Sequence, residues 1–199
     1  MGCDIHVYVE ARIGSAQNPT WQNIDYWKVT QGFGGDGLEV VIHEKQIRFQ
    51  VCFVTSGYRD YELFTILAGV RETGGITPIA FPKGFPSDAS AIVKIMESNL
   101  GEDAHSHSFL TLRELNESIY SRETPIRAWI NEEDKKDIVD GKGKFIYYKD
   151  YQDDDYVYAE WSDEPNQNFL SVLENLERMK NMRRIIDDSD IRIVFWFDT

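Results

Sequence analysis

The sequence predicts an α+β fold with a mixed or largely antiparallel sheet. Residues 3–10 alternate between apolar and polar side chains, which is typical of a half-buried strand, and residues 191–198 form a second apolar segment of strand length. Residues 168–184 instead repeat apolar side chains at helical spacing. We therefore expect the N- and C-terminal strands in one sheet with helices packed on it, as a single globular domain over residues 1–199.

Strands are expected to dominate the first quarter of the chain. After the strand at 3–10, residues 12–20 read as a turn, and the aromatic stretch 21–27 returns as a second strand. GFGGDG at 32–37 is expected to be a flexible loop, since its glycines lack the spacing and the strand-then-helix context of a phosphate-binding motif. Residues 38–54 are rich in Val, Ile and Phe and predict one or two further strands.

After residue 60 the spacing of apolar residues changes from that of a strand to that of a helix. Apolar residues recur at helical spacing after residue 60, which predicts a helix of about a dozen residues with Ser56 or Asp60 near its start and Gly74 at its end. Three prolines within residues 76–87 predict an ordered segment without regular structure.

Two short helices are expected next. Serine and aspartate at residues 87–90 can cap a helix that runs to about Asn99. Thr111 and Glu114 fit a capping box for a helix to about Tyr120.

The last part of the chain predicts strand, helix and strand. Residues 143–161 have the alternation of a hairpin with the acidic run Asp153–Asp155 at its tip. A helix is predicted at 168–184, with Phe169, Val172, Leu173, Leu176 and Met179 on its apolar face, and a strand follows at 191–198.

Charge and cysteine content exclude some classes of function. The 21 basic and 34 acidic residues give a net charge of −13, which opposes binding to duplex nucleic acid. A small anionic ligand stays compatible with this charge, because one or two arginines can invert the local field. Cys3 and Cys52 are the only thiols, and the sequence contains no apolar run long enough to span a membrane. We expect a cytoplasmic protein without a membrane partner; the Met-Gly-Cys start lacks the Ser or Thr that myristoylation requires at position 6.

The first strand carries a candidate metal site. Asp4 and His6 lie two residues apart, so their side chains are expected on one face, where one metal ion can bridge them. The alternative is a hydrogen-bonded pair on a half-exposed sheet face. Cys3 is expected on the opposite, buried face and is not proposed as a nucleophile.

Two further clusters could carry chemistry. His105 and His107 alternate in a short extended segment and could serve as metal ligands, as a general acid and base, or in phosphate binding. Arg59 precedes a predicted helix and could bind an anion, with Tyr58 or Tyr61 as a stacking face for a base. The alternative for Arg59 is a surface ion pair with the neighbouring aspartate beside core aromatics.

The chain resembles a family of phage and prophage proteins that open with MGCDIH. Similar blocks occur at residues 59–71 (RDYELFTILAGVR), 83–90 (KGFPSDAS), 103–115 (DAHSHSFLTLREL) and 194–198 (VFWFD). The resemblance implies a context, such as host takeover, nucleotide metabolism or evasion of host defence, and names no activity. The polar residues within the matching blocks are Cys3, Asp4, His6, Arg59, Tyr61, Arg71, Asp88, Ser90, His105, Ser106 and His107.

If these blocks converge, they form a pocket suited to a small phosphorylated ligand. The leading hypothesis is metal-assisted cleavage of a nucleotide or cyclic nucleotide. A Zn, Mn or Mg ion would be held by Asp4, His6 and His105 or His107, with His107 the favoured ligand, and Arg59 would stabilise the phosphoryl charge. The imidazole that does not bind the metal would protonate the leaving group.

Ligand contacts are predicted from Arg59, Tyr61, Arg71, Asp88, Ser90 and Ser106. One alternative is a protein that sequesters such a ligand without cleaving it. Another is an acidic interaction protein that inhibits a host partner. Exposed aromatic residues could also serve a homo-oligomer interface.

Overall fold

The computed structural model describes residues 2–15, 17–30, 37–42, 45–52, 59–141, 148–149 and 151–198. Its contacts divide the chain into two units, and each is described by itself. The predicted domain over 1–199 spans both. The first unit comprises the described residues of Met1–Arg59, Pro82–Asn116 and Ser171–Thr199, and the second those of Asp60–Phe81 and Glu117–Leu170.

A four-stranded antiparallel sheet, the terminal sheet, forms the centre of the first unit. Its strand order is β2-β1-β10-β6, so the first and last strands pair directly, as the sequence predicts. The α+β class with N- and C-terminal strands in one sheet is confirmed. The strands are β1 (Asp4–Ser15), β2 (Asn18–Asn23), β6 (His105–Thr111) and β10 (Ile191–Asp198).

The two faces of the terminal sheet follow the alternation of the sequence. In β1 and β10, Val7, Val9, Ile193 and Phe195 share one buried face, while Tyr8, Val194 and Trp196 belong to a core cluster on the other. Cys3 is buried as expected. The predicted turn at 12–20 is shorter than expected, because β1 continues to Ser15 and β2 begins at Asn18.

A second antiparallel sheet in the first unit has the order β3-β5-β4. It confirms the aromatic return strand and the two strands expected over residues 38–54. The GFGGDG loop lies outside the described residues except for Gly37. The strands are β3 (Tyr26–Thr30), β4 (Gly37–Ile42) and β5 (Lys45–Cys52).

Helices accompany these sheets. Thr111 and Glu114 form the predicted capping box of α3, since Glu114 N donates to Thr111 Oγ1 at 3.2 Å and Thr111 N donates to Glu114 Oε2 at 2.8 Å. The five apolar residues predicted for one helix face in 168–184 are all buried. The helices with residues in the first unit are α2 (Ala91–Ser98), α3 (Leu112–Glu117) and α5 (Gln167–Arg183), the last beginning in the second unit.

The second unit corrects two predictions. Helix α1 (Tyr61–Ala68) begins at the expected cap Asp60 but ends at Gly69, whose φ of 69° terminates the helix before Gly74. The hairpin predicted for residues 143–161 is wrong. Its two strands, β8 (Tyr148–Lys149) and β9 (Val157–Asp163), both pair with β7 (Thr124–Ile130), which lies between them in the sheet. Neither β7 nor the helix that follows it, α4 (Glu132–Val139), is predicted from the sequence.

In the described part of the chain, no helix is both long and apolar enough to cross a bilayer.

Candidate functional site

Asp4 and Arg59 form a two-point ion pair at the start of β1. Arg59 Nε donates to Oδ1 of Asp4 at 2.6 Å, and Nη2 donates to Oδ2 at 2.9 Å. The hydrogen bond from the guanidinium holds the pKa of Asp4 below its usual value. Arg59 is therefore the counter-ion of Asp4 and engages both oxygens that the sequence assigned to a metal.

Two imidazoles from neighbouring strands contact the indole of Trp196, with His6 stacked and His107 tilted by 32°. The ring centroids of His6 and His107 lie 6.0 Å and 6.1 Å from that of the indole. Each imidazole also faces a carboxylate, with His6 Nε2 3.2 Å from Asp198 Oδ2 and His107 Nε2 3.0 Å from Glu97 Oε1. Because β10 runs between β1 and β6, the indole separates the two imidazoles and each has its own acidic neighbour.

A bulge in β6 divides the predicted histidine pair. Ser106 has a φ of 52°, and the register between β6 and β10 shifts at this point. The ring of His105 stacks on Phe197 at 6.1 Å, whereas the ring of His107 lies tilted against Trp196, the preceding residue of β10. Adjacent strand residues point to opposite faces, so the two imidazoles lie on opposite sides of the sheet, where uninterrupted alternation predicted the same side.

These placements do not fit the metal site expected from the sequence. Asp4 is engaged by Arg59, and the rings of His6 and His107 are separated by Trp196. Among the residues that the structure describes, no three His, Cys, Asp or Glu side chains are grouped to hold an ion. No catalytic step is therefore derived through Zn, Mn or Mg.

Tyr61 and Arg71 belong to the second unit. The Cζ atom of Arg71 lies 5.9 Å from the centroid of the Tyr61 ring, so these two predicted ligand residues contact each other. The other stacking candidate, Tyr58, and the alternative helix cap, Ser56, lie outside the described residues.

The first unit contains a pocket lined by arginine and aromatic side chains, the arginine pocket. It lies on the Trp196 face of the terminal sheet, toward the end of β10 that begins at Ile191, and has a volume of about 590 Å³. This volume is in the range of small-molecule sites. Its lining includes Arg12, Trp21, Phe85, Asp88, Phe109 and Arg192.

Arg192 is the fixed cation of the arginine pocket. Its side chain is 4% exposed, Nε donates to Oε2 of Glu10 at 2.9 Å, and Nη2 lies 2.8 Å from the same oxygen in an ion pair. Nη2 also donates to Oδ1 of Asp88 at 2.9 Å. The Cζ atom lies 3.9 Å from the ring centroid of Trp21 and 5.5 Å from that of Phe109. Aromatic and carboxylate contacts together hold the guanidinium in one position.

Glu10 connects this cation to the start of α2. Its side chain is fully buried, and its Oε1 accepts a hydrogen bond from the backbone N–H of Ser90 at 2.6 Å. Ser90 is the N-cap residue of α2 and follows a turn closed by the hydrogen bond from Ala89 N to Pro86 O. One carboxylate thus anchors both Arg192 and the turn that carries Asp88.

Arg12 is the accessible cation of the arginine pocket. Its side chain is 43% exposed, and its Cζ atom lies 4.9 Å from the ring centroid of Trp21. Its Nη1 is 3.5 Å from Oδ1 of Asp190, which is itself partly exposed. An exposed pair at this separation contributes little free energy, so Arg12 is available to an incoming anion.

A second cavity of about 640 Å³ shares Arg12, Trp21 and Asp88 with the arginine pocket. Ser90 lines this second cavity, and its buried Oγ has no hydrogen-bond partner among the residues that the structure describes. Two residues predicted to contact ligand, Asp88 and Ser90, therefore lie at cavities. Arg59 and Ser106 line neither one.

Sequence reasoning missed Arg12, Trp21, Phe109 and Arg192. The sequence did contain one signal for this site, a charged residue within the apolar stretch of each of two strands. Glu10 alternates onto the Tyr8 face of β1, and Arg192 interrupts the apolar run of β10. A buried acid and a buried base in strands expected to pair predict an ion pair between them.

No protein-family model matches this chain, and searches of curated proteins and of solved structures also found no match. The family resemblance inferred from the sequence blocks therefore stays a prediction, and function must be inferred from the chemistry of the cavities.

Proposed function

We propose that the arginine pocket binds a small ligand with an aromatic ring and a phosphate group, of the nucleotide class, and that the protein holds this ligand without cleaving it. The observation that carries the proposal is the position of Arg12 and Arg192 beside Trp21 and Phe109 at one cavity, in a chain with a net charge of −13. Guanidinium groups recognise phosphate oxygens through paired N–H donors.

The phosphate end of such a ligand has several hydrogen-bond donors within reach. Arg12 is exposed enough to turn toward it, and the hydroxyl side chains of Ser87, Thr111 and Ser189 line the same cavity. Hydroxyl and guanidinium groups both donate to phosphate oxygens. This donor set favours an anion over a neutral ligand at that end.

The ring end has planar partners. Phe85 and Phe109 line the pocket, and the guanidinium of Arg12 is held beside the indole of Trp21. Nucleobases stack on aromatic rings and on guanidinium planes. The pocket can therefore hold a base and a phosphate at the same time.

Binding without cleavage is favoured over hydrolysis because of which residues line the pocket. None of the predicted catalytic residues Arg59, His105 and His107 lines it. Asp88 and Arg12, its charged residues nearest to solvent, are suited to contacts with a ligand. A protein that sequesters a nucleotide would also suit the phage context that the sequence blocks imply.

Isothermal titration calorimetry tests the proposal. The purified protein is titrated with AMP, ADP, GMP and cyclic AMP in buffer with EDTA, and each mixture is analysed by chromatography after incubation. We expect binding of at least one nucleotide, no product, and a loss of about tenfold in affinity, or about 1.4 kcal/mol, for Arg12→Gln.

The matched control is Arg113→Gln. Arg113 is as exposed as Arg12 and is paired with Asp187, but it does not line the arginine pocket. The Arg113→Gln variant should therefore bind nucleotides with the same affinity as the unmodified chain. Equal losses in the two variants, or formation of a cleavage product, would contradict the proposal.

A further inference from the structure

We infer that Asp88 is a displaceable counter-ion that occupies the ligand's anion position on Arg192 and gives way to a phosphate group. This inference rests on the proposed function and adds a residue that determines which anions the pocket selects. The supporting observation is the unequal burial of the two carboxylates on Arg192.

The two carboxylates hold Arg192 in different ways. Glu10 is fully buried, accepts from Nε, forms an ion pair with Nη2, and is fixed by the backbone N–H of Ser90. Asp88 is 61% exposed, and the described part of the chain gives its side chain one hydrogen bond, from Nη2 of Arg192. Glu10 is therefore a permanent partner, whereas Asp88 can rotate into solvent while Arg192 keeps its ion pair with Glu10.

The energetics favour exchange. The released carboxylate of Asp88 becomes hydrated and Arg192 stays paired with Glu10, so releasing Asp88 costs less than breaking a fully buried pair. A phosphate group that takes its place brings more charge and more acceptor oxygens to the same donor. Because the departing group is itself a carboxylate, a carboxylate ligand gains little by replacing Asp88. The pocket should therefore select phosphate over carboxylate.

The position of Asp88 also controls space. It lies in the turn closed by Ala89 N and Pro86 O, and its side chain lines both the arginine pocket and the second cavity. Rotation of this one side chain exposes Nη2 of Arg192 and clears the boundary shared by the two cavities. Entry of an anion and enlargement of the site are thus one event.

The test compares Asp88→Asn with Asp187→Asn. Asp187 is a partly exposed carboxylate that pairs with Arg113 and accepts from Ser189 N, and Asn keeps this acceptor oxygen, so both variants raise the net charge by one and only the first removes a carboxylate from the lining of the arginine pocket. AMP, adenosine and inorganic phosphate are titrated into both variants and the unmodified chain. For Asp88→Asn we expect AMP and phosphate to bind about tenfold more tightly and adenosine to bind unchanged. Asp187→Asn should match the unmodified chain.

The outcomes separate this inference from the proposed function. Tighter phosphate binding by Asp88→Asn, with no AMP or adenosine binding by any variant, supports displacement and overturns the nucleotide proposal. Equal AMP affinity in Asp88→Asn and the unmodified chain keeps the nucleotide proposal and overturns displacement. Weaker AMP binding by Asp88→Asn shows that Asp88 contacts the ligand directly and also overturns displacement. Equal gains in affinity for Asp88→Asn and Asp187→Asn indicate a general charge effect and also overturn displacement. If no probe binds any of the three proteins, both displacement and the nucleotide proposal are overturned.

Discussion

At the scale of single residues, Asp25 is the buried carboxyl group whose ionisation depends most on the fold. Its side chain accepts hydrogen bonds at Oδ2 from Val9 N at 3.0 Å and from Asn23 Nδ2 at 2.6 Å, while the described part of the chain offers no partner to the buried Oδ1. Burial raises the pKa of Asp25 to about 7, and the charge of Glu10 adds to this. The folded protein therefore keeps this proton to a much higher pH than the unfolded chain does.

Asp25→Asn should stabilise the protein at pH 8 and leave its stability nearly unchanged at pH 4. Between pH 4 and pH 7 the unfolded carboxyl has lost its proton while the folded one retains it, so the stability of the unmodified chain falls as pH rises through this window. Above pH 7 the cost of burying the charge is complete, on the order of 2 to 4 kcal/mol. Urea denaturation at several pH values measures the difference between the two proteins.

Asp154→Asn serves as the control for Asp25→Asn, because Asp154 is an exposed carboxylate in a turn. It should follow the pH dependence of the unmodified chain. A stability difference for Asp25→Asn that is the same at pH 5 and pH 8 would show that ionisation of Asp25 is not the cause.

At the scale of elements, the bulge in β6 depends on one backbone conformation. Ser106 has a φ of 52°, a region that costs residues with a Cβ about 1–2 kcal/mol and that glycine enters freely. Ser106→Gly should therefore retain stability despite losing the contact between Ser106 Oγ and His105 Nδ1. Ser106→Val should lose about 1–2 kcal/mol, because a branched side chain tolerates this region least.

Thermal or urea unfolding of the two Ser106 variants measures this prediction. Ser108 provides the control position, since it is a fully buried residue of the same strand without a positive φ. There glycine should destabilise the protein. If glycine destabilises both positions equally, the backbone of Ser106 does not carry the strain we assign to it.

The elements also show how far sequence reasoning extends. Strong periodicity predicted α5, β10 and the start of β1 to within one residue, because each buries a continuous apolar face, whereas β1 extends five residues past its predicted end. The predicted hairpin failed because alternation indicates a strand but not its neighbour, and β7 occupies the central position. The end of α1 at Gly69 was missed because the double glycine at 74–75 is a stronger stop signal in the sequence than the single Gly69, whose φ of 69° ends the helix.

The candidate site was harder to predict because its contacts are distant in sequence. Glu10 and Arg192 meet through the pairing of β1 with β10, and Trp21 reaches Arg192 from β2. The blocks of the family resemblance indicated Asp88 and Ser90, which lie at the cavities, whereas spacing indicated the histidines that a bulge places on opposite faces. Local patterns locate polar residues, whereas the convergence of those residues depends on strand order.

At the scale of the whole molecule, the net charge of −13 should make stability depend on salt. Like charges repel one another in the folded state, and 0.1 M salt largely screens the repulsion between charges more than about 10 Å apart. We expect the free energy of unfolding in urea to rise between 10 mM and 300 mM NaCl. The reverse trend would mean that surface ion pairs such as Arg113–Asp187 outweigh the repulsion.

The pairing of β1 with β10 has a consequence for the order of events during synthesis. Strand β10 lies between β1 and β6, so neither of those strands has its main partner until residues 191–198 have left the ribosome. Contacts this distant in sequence form slowly. The nascent chain must therefore wait with two unpaired strand edges exposed, which makes it a candidate client for chaperones until the central strand arrives and closes the sheet.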